Sequence, residues 1–114
     1  MPHFVIDCSE NIVNTKTAEE IIKLVYETAE ATGLFNPQAI NVRINTFKNF
    51  KAGINEEAFI SIFASIMEGR TDDQKNNLSR KIVTNLVKLL PDVSLISMNV
   101  WDIEKASYIN KSMI

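Results

Sequence analysis

The chain begins with Met1 and Pro2, and this pair is the first place where the sequence could supply chemistry. A methionine that precedes a small residue is usually removed, which would leave Pro2 with a free secondary amine. An N-terminal amine has a pKa of about 7.7 to 8.0, and an apolar pocket or nearby cations lower that pKa by disfavouring the charged form. The nitrogen of Pro2 is then unprotonated near neutral pH and can act as a general base.

Two arginines are candidates for binding the carboxylate of a substrate. Arg70 lies in EGRTDDQK, between a predicted strand and a predicted helix, where free backbone amides and the positive end of the helix dipole favour an anion. Arg43 projects from the polar face of another predicted strand. Either arginine, taken alone, can also be interpreted as an ordinary surface or salt-bridge residue.

The sequence has few residues for metal-dependent or nucleophilic catalysis. Cys8 is the only cysteine and His3 the only histidine, so neither an intrachain disulfide nor a zinc site with the usual ligand spacing is expected. Because no other histidine is present to activate it, Cys8 is interpreted as a small buried hydrophobic residue rather than a nucleophile. We therefore expect no metal and no cofactor.

The bulk composition indicates one soluble globular domain, residues 1–114. Hydrophobic residues make up 46% of the chain and charged residues 23%. No apolar run approaches the roughly 20 residues that a membrane helix needs, and the N-terminus lacks the features of a signal peptide, so a cytoplasmic location is predicted. The net charge is -2 with no block of Lys or Arg, which argues against a nucleic-acid partner.

The first half of the chain has the pattern of a β-α-β unit. Its predicted elements are, in order, a strand at 2–8, a turn at 9–15, a helix that ends at Gly33 and a strand at 40–50. Thr17 and Glu20 have the spacing of a capping box at the start of the helix. Gly33 provides the stop, because glycine enters the left-handed backbone region without steric cost.

The second half repeats this order. It contains a predicted strand at 58–67, a second capping box at Thr71 and Gln74, a helix stopped by Pro91, and a strand at 93–103. The pseudo-repeats 2–50 and 58–103 therefore predict an α/β fold, with a four-stranded sheet and two helices on one face. Each helix should connect two parallel strands.

Two helices cover only one face of such a sheet, yet the third strand is apolar on both faces. Ile60 and Ile62 point to one side, and Phe59 and Phe63 point to the other. We expect the second face to pack against another copy of the chain in a homo-oligomer. The alternative is that the chain's own C-terminal tail covers it.

Several segments resemble the tautomerase superfamily. PHFVIDCSENI and ATGLF are similar to 5-carboxymethyl-2-hydroxymuconate delta-isomerases, while EGRTDDQKNNL and NVRI resemble the arginine-bearing segments of the short 4-oxalocrotonate tautomerases. The resemblance implies a homotrimer in which Pro2 is the general base and acid and in which Arg43 and Arg70 bind substrate carboxylates. Each of these elements survives in only one half of the chain, as in a fused and diverged pair of units.

The implied function is that of a cofactor-independent isomerase, which moves a proton within an unsaturated 2-hydroxy or 2-oxo carboxylic acid. Phe50 is a candidate for the wall of the pocket. Asn41 stands where the muconate isomerases have a further arginine, so a multiply charged acid should bind more weakly. The alternative is a non-catalytic trimeric protein on the same scaffold, which binds a ligand or a partner.

Overall fold

Two β-α-β units form almost all of the regular structure. The computed structural model describes the whole chain, residues 1–114. Its main elements are β1 (His3–Ser9), α1 (Ile12–Thr15), α2 (Ala18–Ala31), β2 (Asn41–Phe47), β3 (Phe59–Met67), α3 (Asp72–Leu89) and β4 (Leu95–Ile103). Short 3-10 turns precede β2 and form the C-terminal tail.

The four strands form one mixed sheet in the order β2-β1-β3-β4. The pairs β1-β2 and β3-β4 are parallel, as the two crossover helices require, whereas β1 and β3 run antiparallel at the centre. His3 lies opposite Asn41 on one side and opposite Ser65 on the other. The beginning of β1 and the end of β3 therefore lie side by side at the same end of the sheet.

Both predicted capping boxes are present. The side chain of Thr17 accepts a hydrogen bond from the Glu20 amide at 3.2 Å, and the Glu20 carboxylate accepts one from the Thr17 amide. Thr71 and Gln74 form the same reciprocal pair at the start of α3. These bonds satisfy amides that the first helical turn leaves without a partner. After α2, Gly33 has a φ of +72°, which confirms its predicted role at the helix end.

The core lies between the two long helices and one face of the sheet. Fully buried side chains on β1 and β3 come from alternate positions: Phe4, Ile6, Cys8, Ile60, Ile62, Ala64 and Ile66. The helices bury Ile21, Val25, Ala29, Leu78, Ile82 and Leu86 against them. The prediction of two helices on one face is confirmed, because the buried apolar positions of β1 and β3 all point the same way.

Some predicted boundaries are wrong, and the strand pairing explains why. The strand predicted at 40–50 ends at Phe47, because Phe47 is paired with Ser9, the last residue of β1. The strand predicted from 93 begins only at Leu95, opposite the first residue of β3, Phe59. The segment predicted as a turn at 9–15 contains the one-turn helix α1, which is anchored by the buried Ile12.

The other face of the sheet, called the open face below, carries large exposed side chains. Phe63 and Trp101 stack with ring centroids 5.6 Å apart and planes inclined by 12°. They remain 39% and 49% exposed, and Leu95 is also 39% exposed. The alternative in which the C-terminal tail covers this face is therefore wrong.

As for the helices, none combines the length and the apolar character needed to cross a membrane.

The packing of α3 predicts a large difference between two of its aliphatic side chains. Replacing the fully buried Ile82 by alanine leaves a cavity under the sheet and should lower the free energy of unfolding by about 2 to 5 kcal/mol. Val87 lies on the same helix but is 49% exposed, so Val87→Ala should change it by less than about 0.5 kcal/mol. Urea unfolding at one fixed protein concentration measures both, and equal losses would contradict this packing.

Candidate functional site

Pro2 lies at the end of the sheet where the central strand β1 begins. Its side chain is buried, and its carbonyl accepts a hydrogen bond from the amide of Asn41 at 3.0 Å. This bond extends the parallel β1-β2 pairing by one residue and holds the backbone on the C-terminal side of the proline nitrogen. With Met1 attached, that nitrogen is an amide. Removal of Met1 would convert it into an amine held at a defined place.

Arg70 lies at the same end of the sheet, three residues beyond the end of β3. Its guanidinium donates a hydrogen bond to the carbonyl of Leu34 and lies over the ring of Phe35, 5.4 Å from the ring centroid. Phe35 in turn makes an edge-to-face contact with Phe4, with centroids 6.2 Å apart. Because Phe4 and Pro2 are on the same side of β1, Phe35 links the arginine to the proline end of the strand.

The helix start beside Arg70 offers fewer free amides than the sequence suggests. The Thr71 and Gln74 amides are used by the capping box, and the first turn already carries the carboxylates of Asp72 and Asp73. These carboxylates are the negative groups that the helix dipole favours. The guanidinium of Arg70, with five N–H donors of which the Leu34 carbonyl takes one, is thus the stronger candidate for an anion.

Arg43 approaches the same end of the sheet from the open face. It is paired with Val5, is exposed, and places Nη1 3.5 Å from Nδ1 of His3. The three candidates therefore share one end of the sheet but not one face. Pro2 and Arg70 are linked on the helix side through Phe35, while Arg43 reaches the edge across His3.

The ionisation of His3 and Cys8 follows from their surroundings. Burial lowers the pKa of His3 below its ordinary value, and the positive charges of the N-terminus and of Arg43 lower it further. Burial also raises the pKa of Cys8 to about 11, with a smaller contribution from Asp7. The Cys8 thiol is fully buried and protonated at neutral pH, which agrees with its interpretation as a core residue.

Phe50 does not line this site within one chain. It packs on Phe59 with ring centroids 5.1 Å apart, at the end of the sheet where β2 finishes. Because β1 and β2 are parallel, that end is opposite to Pro2. The expectation that Phe50 walls the proline pocket is therefore wrong for a single chain.

Three grooves of the surface lie away from the candidate residues. One of them runs between α2 and α3, with Leu24 and Leu89 among its lining residues, and none of the three contains Pro2, Arg43 or Arg70. No group of three or more His, Cys, Asp or Glu side chains is arranged to hold a metal ion.

Two contacts at this edge escaped sequence reasoning. In the sequence, His3 stands out only as the single histidine, too few for a zinc site. The pairing of β1 with β2 places it on the same face as Arg43. Phe35 belongs to the ATGLF segment, whose contact with Arg70 joins residues 35 positions apart. Neither contact has a local sequence signal, because both depend on the sheet register.

The chain resembles known proteins in both sequence and structure. A family model for 5-carboxymethyl-2-hydroxymuconate isomerase matches residues 2–111, nearly the whole chain. The chain belongs to this isomerase family. Membership in the 5-carboxymethyl-2-hydroxymuconate isomerase family makes it an isomerase. A comparison with curated proteins gives no significant match.

Solved structures agree on the fold. A 5-carboxymethyl-2-hydroxymuconate isomerase from Deinococcus radiodurans R1 superposes with a TM-score of 0.83 at 17% identity, covering 96% of this chain and 88% of that one. Pt0534 inactivated by 2-oxo-3-pentynoate gives 0.82 at 15% identity, covering 98% and 94%. A fused 4-OT wild-type symmetric trimer gives 0.74 at 18% identity, covering 96% and 94%. The chain and these three structures share the tautomerase fold.

The anchoring of Arg70 predicts that this arginine contributes to stability. Arg70→Gln removes the bond to Leu34 and the contact with Phe35, and should lower the free energy of unfolding by about 1 to 2 kcal/mol. Arg80 is exposed on α3, so Arg80→Gln serves as the matched control and should change it by less than about 0.5 kcal/mol. Indistinguishable urea midpoints for the two variants would show that Arg70 is not held in this way.

Proposed function

We propose that this protein is a cofactor-independent tautomerase whose base is the amine of Pro2, exposed when Met1 is removed. Its substrate is an unsaturated 2-hydroxy or 2-oxo carboxylic acid, of the type represented by 5-carboxymethyl-2-hydroxymuconate. The observation that supports this most directly is the convergence of Pro2 and Arg70 at one edge of the sheet. Family membership over residues 2–111 supports the same reaction class.

The reaction is a proton transfer in two steps. The lone pair of the Pro2 nitrogen accepts the proton of the dienol hydroxyl, and the oxygen's electrons form the carbonyl while the conjugated double bonds shift. The resulting ammonium then returns the proton to carbon at the far end of the conjugated system. One group is thus base and then acid, and proton transfer by a positioned group contributes about 10² to 10⁴ in rate.

The arginines are proposed to bind the carboxylates of the acid, and Arg70 also to stabilise the charge that develops during this transfer. A guanidinium remains charged at all relevant pH values and presents paired donors that match a carboxylate. Arg70 lies against Phe35, which limits its movement and reduces the cost of orienting it when the substrate binds. Arg43 is held less tightly and is the second proposed carboxylate ligand.

We further propose that the active protein is a homotrimer assembled through the open face. Phe63, Leu95 and Trp101 leave an apolar surface on that face that nothing in the chain covers. The comparison structures that are described as trimers have the same fold. Assembly of this kind would also supply walls of the pocket around Pro2.

The proline mechanism predicts that turnover depends on a free amine at residue 2. Ultraviolet assays of 5-carboxymethyl-2-hydroxymuconate and shorter 2-hydroxydienoates should show isomerisation with protein whose mass confirms the loss of Met1. Pro2→Ala keeps a primary amine at residue 2 but removes the ring that positions it, and should lower kcat by about 100-fold through misplacement of the base. Unchanged turnover in processed Pro2→Ala protein would show that the proline ring is not needed, and the tagged protein then decides whether the amine is the base.

The control separates the amine from the proline ring. Protein with an uncleaved N-terminal tag keeps Pro2 in place but makes its nitrogen an amide, and it should lose activity as Pro2→Ala does. Removing the tag up to Pro2 should restore it. If no substrate of this class is turned over by the processed protein, the alternative of a non-catalytic ligand-binding or interaction protein replaces the proposal.

The proposed assembly predicts that Trp101, on the open face, is needed for trimer formation and that Val87, on α3, is not. Trp101→Glu places a charge on the open face and should shift the protein from trimer to monomer in sedimentation velocity. Val87 is equally exposed, at 49%, but lies on α3, so Val87→Glu should leave the trimer intact. A monomeric wild type, or dissociation by both substitutions, would contradict assembly through the open face.

A further inference from the structure

The side chain of His3 has no role in the proton transfer described above, yet it lies between the candidate base and Arg43. It immediately follows Pro2, and strand alternation turns its partly buried side chain to the open face, where Arg43 of the neighbouring strand is exposed. Its Nδ1 is 3.5 Å from Nη1 of Arg43. It is the only imidazole in the molecule.

The chemistry of arginine fixes the direction of this contact. A guanidinium has only donors, so Nδ1 of His3 has to be the acceptor and carries no proton. The proton of the neutral ring is then on Nε2. A doubly protonated ring would instead place two cations side by side, and the hydrogen bond would be lost.

The surroundings of His3 favour the neutral ring. The charged groups that act on it are Arg43 on β2 and, while Met1 is attached, the ammonium of Met1. On the other side, β3 presents the uncharged Ser65. Burial and the charge of Arg43 lower the pKa of His3, and neither depends on Met1, so both favour the accepting form in the processed protein.

We propose that His3 is a positioning residue, which accepts a hydrogen bond from Arg43 and holds its guanidinium at the proline end of the sheet for the substrate carboxylate. This role rests on the proposed function, because it assigns a task to His3 in substrate binding by Arg43. An exposed arginine explores many rotamers, and a fixed acceptor reduces the entropy lost when a carboxylate binds. His3 thereby affects binding rather than proton transfer.

The contact itself can be tested without any activity. His3 is the only histidine, so the imidazole ¹⁵N signals of labelled, processed protein report its tautomer and its pKa without assignment. The Nε2–H tautomer is expected, and Arg43→Gln should raise the pKa of His3 towards about 6.5 by removing one neighbouring cation. Arg70 lies on the other side of β1, and Arg70→Gln should leave that pKa unchanged. An Nδ1–H tautomer, or no effect of Arg43→Gln, would overturn the contact.

The role in binding is tested by kinetics on a 2-hydroxydienoate. His3→Leu removes the acceptor and should raise KM about tenfold, the effect of one lost hydrogen bond to a charged group, with kcat within about twofold of wild type. His3→Gln keeps an acceptor oxygen and should recover most of the binding. In an Arg43→Gln background, His3→Leu should have no further effect on KM, since the two residues act as one unit.

Acidic pH should reproduce the effect of His3→Leu. Below the pKa of His3 the ring is protonated, Arg43 loses its acceptor, and KM of the wild type rises, whereas KM of His3→Leu stays flat. A tenfold effect of His3→Leu that persists in the Arg43→Gln background would overturn the positioning role. A wild type inactive on every substrate would overturn the proposed function, while the histidine spectra would still decide whether the contact exists.

Discussion

The antiparallel pairing of β1 with β3 determines that Pro2 and Arg70 lie at the same end of the sheet. Each β-α-β unit on its own would place the start of its first strand far from the loop that follows that strand. Because the two units meet head to tail along β1 and β3, the start of β1 lies beside the end of β3. Pro2 from the first unit and Arg70 from the second unit are thereby brought to one edge. The proposed site thus combines Pro2 and Arg43 of the first unit with Arg70 of the second.

The same pairing divides the sheet into two faces with different roles. Alternate side chains of β1 and β3 are fully buried under α2 and α3, which makes the edge rigid on the helix side. Phe35 and Phe4 extend this packing up to Arg70. On the open face, by contrast, His3 and Arg43 are held by a single polar contact, and a stacked pair of aromatic rings is left exposed. The proposed assembly surface and the less tightly held Arg43 both lie on the open face.

Much of this architecture was readable from local sequence patterns. The capping boxes at Thr17 and Thr71 and the glycine at position 33 mark helix ends by interactions that span four residues or fewer, and all three are present. Strand ends were less predictable. Phe47 ends β2 because its partner strand ends there, and such a limit has no signal in the sequence of β2 itself.

The candidate site was predictable only residue by residue. Resemblance to the tautomerases selected Pro2, Arg43 and Arg70, but the face on which each lies depends on register and strand order. That dependence explains why Phe50 was expected near Pro2 and lies at the opposite end of the sheet. It also explains why the contact between His3 and Arg43 appeared only in three dimensions.

The central claim, that the amine of Pro2 is the base, can be tested on that atom alone. In processed protein labelled with ¹⁵N-proline, only one of the three proline nitrogens is an amine, because the other two are peptide nitrogens. The account predicts that this nitrogen loses its proton over the same pH range in which kcat/KM for a 2-hydroxydienoate rises, since only the free amine accepts a proton. A Pro2 nitrogen that titrates at a pH clearly different from the midpoint of the activity profile would contradict it.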